Sequence, residues 1–127
     1  MRRIHQLIAT ATLFTLFALS GAFAQDTRVV KIDVVDQTAT GAGVEISGGT
    51  GVVRVTQGEE IEIHWASNQA TELHLHGYNV KTKVAGESEA IMTVKARAAG
   101  RFAVESHGFG SDHHAEKTLL YLEVLPR

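Results

Sequence analysis

From about residue 28 onward, apolar and polar positions alternate in short runs. In VVKIDVV (29–35), Val30, Ile32 and Val34 share one parity, and Lys31 and Asp33 the other. In IEIHWAS (61–67), Ile61, Ile63 and Trp65 alternate with Glu62 and His64. Successive side chains of an extended strand point to opposite faces, so a period of two predicts strands with one face in a core and one in water. Similar runs lie at 52–55, 71–78, 90–96, 98–108 and 118–126. They add Phe102, Val104, Leu120, Leu122 and Val124 to the expected core. Glycines fall between the runs, and GGTG (48–51) reads as a hairpin turn. The stretch 86–100 admits a helical turn, but Ile91, Thr93 and Val94 favour a strand. The prediction is an all-β, antiparallel Greek-key β-sandwich of seven or eight strands.

The first residues follow a different pattern. MRR is a short basic start, and LIATATLFTLFALSGAFA (7–24) is an apolar run ending in Ala22-Phe23-Ala24. A basic start, an apolar stretch and a small-x-small end predict a secretory signal peptide over 1–24. The run is short of the ~20 apolar residues that span a bilayer comfortably. Cleavage near Ala24 would leave residues 25–127 as a single domain, periplasmic or secreted, with no membrane attachment. A chain of that length buries roughly 60–70% of its unfolded surface, enough to fold without a disulfide.

Composition narrows the chemistry. There is no cysteine, so thiolate ligands, thiol nucleophiles and iron–sulfur clusters are excluded. Lys and Arg number 12 against 14 Asp and Glu, and removal of Arg2 and Arg3 makes the remainder more acidic. With no basic run, nucleic acid is not an expected partner. Neither Gly-x-Ser-x-Gly nor a Gly-rich loop ending in Gly-Lys-Ser/Thr is present. The paired carboxylates Glu59 and Glu60 sit at a turn and read as solvated.

The histidines are where chemistry concentrates. LHLHGY (73–78) carries His74 and His76, and VESHGFGSDHH (104–114) carries Glu105, His107, Asp112, His113 and His114. Strand parity puts Glu72, His74 and His76 on one face, and Ala103, Glu105 and His107 on one face. Residues two apart on a strand are ~6.6 Å apart, close enough for imidazoles to converge on one ion. His74, His76 and His107 are therefore the candidate metal ligands, with Glu105 as a fourth. Asp112, His113 and His114, in a polar loop, are secondary candidates. His64, alone on its strand, reads as a surface residue or as support behind the ligands.

These same stretches carry a resemblance. VTQGEEIEIHWASNQATELHLHGY (55–78) resembles cupredoxin-like domains in its order of strand, Gly turn, alternating strand, Asn-containing loop and ligand-bearing strand. AAGRFAVESHG (98–108) is similar to that family's later strand leading into its ligand loop, and LLYLEVLP (119–126) to its closing strand. The likeness covers roughly 28–126 and implies that the strands of His74 and His107 lie side by side. His74-x-His76-Gly77 also resembles the His-x-His-Gly motif of multicopper oxidases. Blue-copper members use a Cys thiolate, two His and a weak axial Met. Here Cys is absent and Met92 lies far from the ligand loop, so a blue electron-transfer site is excluded. Nitrogen and oxygen donors would favour copper as Cu(II), with zinc next.

The expected function is that of an exported copper-binding carrier, buffer or accessory factor, a monomer or weak oligomer, with the metal ion and another exported copper-handling protein as partners. One competing expectation is a small copper redox enzyme with superoxide dismutase-like chemistry. His-x-His on a sandwich strand occurs there too, although the cysteines of that pattern are missing. The other is a cupredoxin-scaffold interaction domain that binds no metal.

Overall fold

The computed structural model describes residues 26–127, so the expected leader at 1–24 lies outside the described residues. Among the described residues there is no helix, and none long and apolar enough to cross a membrane. The described residues form ten strands: β1 (Arg28–Val35), β2 (Thr38–Thr40), β3 (Glu45–Ser47), β4 (Thr50–Thr56), β5 (Glu60–Ser67), β6 (Thr71–Leu75), β7 (Val80–Val84), β8 (Ser88–Lys95), β9 (Gly100–Phe109) and β10 (Asp112–Leu125). One sheet has the order β2-β1-β5-β8, the other β3-β4-β10-β9-β6-β7.

The alternating runs become the strands they predict, and the sheets close on the apolar parity of each. Val30, Ile32, Val34, Ile61, Ile63, Trp65, Val104, Leu120, Leu122 and Val124 are all buried in one core cluster. Leu73, Leu75, Val53, Val55, Met92 and Val94 join them. Met92 is thus a core residue, 1% exposed. Phe102 departs from the expected core, since it is only half-buried and packs against the cluster from its edge. Its ring stands edge-on to Tyr78, with centroids 4.8 Å apart.

Two features correct the expectation of seven or eight antiparallel strands. Ten strands form, because the three-residue β2 and β3 pair as short edges beyond the reach of a periodicity argument. Two pairings, β1 with β5 and β4 with β10, are parallel. Alternation reports which face is buried and is blind to strand direction. The turn at Gly48-Gly49 is as expected, a two-residue hairpin with φ of 61° and 80°.

The β9–β10 hairpin, which builds one side of the histidine cluster, is irregular in two places. Between Thr118↔Glu105 and Leu120↔Val104, β10 carries one residue more than β9, a β-bulge that leaves both Leu119 and Leu120 buried. Between Asp112↔Phe109 and Glu116↔His107, β10 advances four residues while β9 advances two.

Candidate metal centre

β6 and β9 are antiparallel neighbours, with His74 opposite Glu105 and Glu72 opposite His107. Leu73 and Leu75 point into the core, so Glu72 and His74 must face out. His76 lies just past the end of β6, yet its N–H donates to the Ala103 carbonyl at 2.9 Å and keeps the ladder for one more step. Gly77 then turns the chain away at φ 81°. On β9, Val104 and Ser106 are buried, so Glu105 and His107 share the outer face. The result is a checkerboard, with His74 diagonal to His107 and His76 diagonal to Glu105.

The checkerboard brings the three predicted histidines together. His74, His76 and His107 are all half-buried, and one ring nitrogen from each lies within 4.8 Å of the others. The His74 and His76 rings are 4.0 Å apart by centroid, and the His107 ring is 5.8 and 6.2 Å from them. Nitrogens sharing one ion at ~2.0–2.1 Å stand roughly 3–4 Å from each other. The trio is thus at most about 1–2 Å wider than a set bound to one ion.

Glu105 enters through hydrogen bonds. Its Oε2 is 2.7 Å from His76 Nε2 and 3.8 Å from His107 Nε2. Its Oε1 accepts from the Thr118 hydroxyl at 3.4 Å. An ionised carboxylate only accepts, so His76 Nε2 carries the proton in this arrangement and Nδ1 is the nitrogen left to donate a lone pair. If Glu105 itself swings toward an ion, His76 Nε2 is released. His107 Nδ1 is 3.1 Å from Glu116 Oε1, and its Nε2 is buried without a hydrogen-bond partner among the described residues. A buried ring nitrogen without a partner, beside two other imidazoles, fits a nitrogen-and-oxygen metal site. The donor set offers no sulfur and so does not fit a blue-copper centre.

The remaining candidates lie elsewhere. Asp112, His113 and His114 are exposed near the tip of the β9–β10 hairpin, outside the trio. Asp112 Oδ1 accepts the His114 N–H at 3.0 Å, which ties its carboxylate to the turn. His113 lines a groove beside His107, together with Glu72, Lys83 and Val84. His64 is on the other sheet, held between Glu89 at 3.0 Å and Glu62 at 3.3 Å. Glu116 is the site residue that strand parity could not supply. The irregular stretch of β10 lies between it and the hairpin tip, and only the β9 register places it opposite His107.

No protein-family model matches the chain, and no curated protein matches it. Among solved structures the chain is similar to one from a cryo-EM structure of a heme-copper terminal oxidase dimer. The TM-score is 0.54 at 15% identity, over 94% of this chain and 78% of that one. It is also similar to the periplasmic domain of subunit II of cytochrome oxidase from Bradyrhizobium japonicum. There the TM-score is 0.54 at 13% identity, over 78% of this chain and 84% of that one. At such identities the likeness is one of fold, and that fold is the cupredoxin-like β-sandwich.

Proposed function

We propose that this domain binds copper as cargo through His74, His76 and His107, and works in the exported space as a carrier, buffer or accessory factor. The observation that carries the reading is the trio itself: three imidazole nitrogens within 4.8 Å of one another on the outer face of the neighbouring β6 and β9 and the residue just past β6. Glu105 serves as a fourth donor or as the acceptor that orients His76. Three nitrogens and an oxygen favour Cu(II) over Zn(II) by the usual affinity order. The cupredoxin-like fold shared with a periplasmic oxidase domain supports copper handling outside the cytoplasm, as does the signal-like start of the chain. Delivery to another exported copper-handling protein fits a site on an open sheet face. Carboxylates at positions 72, 105 and 116 border the trio, an arrangement that attracts a cation.

The test is competitive titration of the purified protein with Cu(I), Cu(II) and Zn(II). One copper per chain is expected, held more tightly than zinc and released in acid as protons compete for the imidazoles. Copper uptake by a variant lacking all three histidines that equals that of the parent would overturn the assignment.

A further inference from the structure

We propose that Glu116 is a positioning residue that fixes the tautomer of His107 and so decides which nitrogen the site presents. The inference rests on the metal reading for its purpose, but not for its geometry. Glu116 stands directly across from His107 in the β9–β10 ladder. Its Oε1 is 3.1 Å from Nδ1, and a carboxylate can only accept there, so Nδ1 carries the proton. The other nitrogen, Nε2, is then the lone-pair donor. It is the buried atom without a partner, on the side of the ring that Glu105 Oε2 approaches to 3.8 Å. The outer nitrogen is held by an exposed carboxylate, and the inner nitrogen faces the cluster.

The register explains why this acid reaches this ring. β10 absorbs two extra residues between Asp112 and Glu116 before it returns to regular pairing at Glu116↔His107 and Lys117↔Ser106. The chain thus places a carboxylate beside His107 while the exposed histidines of the hairpin tip stay outside the ladder. Ligating histidines are commonly held in one tautomer by a carboxylate on the second nitrogen, and loss of that acceptor typically costs 10–100-fold in affinity.

The experiment reads the tautomer in the metal-free protein, independently of any ion. In long-range proton–nitrogen NMR at a pH where the rings are neutral, His107 of the parent should show a protonated Nδ1 and an unprotonated Nε2. Glu116→Ala should move the proton toward Nε2. Glu116→Gln, whose amide oxygen still accepts, should restore the parent pattern. Copper titration should show a loss of ~10–100-fold in Glu116→Ala and recovery of most of it in Glu116→Gln. A parent His107 protonated at Nε2, or a tautomer unmoved by Glu116→Ala, overturns the proposal. A parent with the expected tautomer that takes up no copper overturns the metal reading and leaves the role of Glu116 in place.

Discussion

His74, His76 and His107 share one coordination sphere in this reading, so their truncations should not add. Removing any one to Ala should lower copper affinity sharply, and the second and third removals should cost little more, because the site is already broken. Glu105→Ala should cost ~10–100-fold, through loss of a donor or of the acceptor on His76. Titration of the single, double and triple variants measures this, and strictly additive losses would mean three separate weak sites. Gly77 governs the same cluster through the backbone. It holds φ at 81°, and a Cβ there would meet Phe102 Cδ1 at 2.5 Å. Gly77→Ala should therefore lose about 1–3 kcal/mol in urea unfolding and weaken copper binding together, since His76 is its neighbour. A stability loss with unchanged affinity would separate the turn from the site.

At the level of strands, the proposed ligands sit on β6, on the residue just past its end and on β9, so the hairpin tip should be dispensable for binding. Deleting His113 and His114 removes the two residues by which β10 outruns β9. Regular pairing would then run from Asp112↔Phe109 to His107 and Glu116 without interruption. The shortened protein should stay folded and bind copper within a few-fold of the parent, as read by circular dichroism and titration. Lost binding in a folded deletion variant would move the site to the tip. This element also marks what was readable in advance. Parity along LHLH and VESH was enough to place four candidate residues on common faces, because one buried face leaves the other no freedom. Parity fails where a strand is irregular. Glu116 lies beyond an insertion whose length only the pairing with β9 reveals, and Leu119 and Leu120 are both buried because a bulge breaks the alternation. The short β2 and β3, and the parallel direction of β1 beside β5, arise from crossing between sheets and leave no mark on local periodicity. Phe102 had the right parity but is only half-buried, against Tyr78 and Gly77.

For the molecule as a whole, the site is built on strands whose inner faces form the core. Leu73, Leu75 and Val104 alternate with His74, Glu105 and the rest of the cluster, and all three are fully buried. The cluster is thereby largely preformed, and an ion that binds only the folded chain must stabilise that chain by mass action. At a free copper concentration about 100 times the dissociation constant the gain is about 2.7 kcal/mol. For a domain near this size, each kcal/mol moves the melting temperature by about 4–8 °C, so the expected rise is roughly 10–20 °C. The single tryptophan, Trp65, is completely buried at the centre of the core and reports the transition by fluorescence. His107→Ala should keep the parent's metal-free melting temperature within a few degrees, because its ring lies on the outer face, and should lose most of the rise. A comparable rise in His107→Ala and in the parent would show that copper stabilises the protein from somewhere other than the trio. No rise in either, at copper concentrations that saturate the titration, would mean that the ion binds the unfolded chain as well as the folded one and that the cluster is not a preformed site.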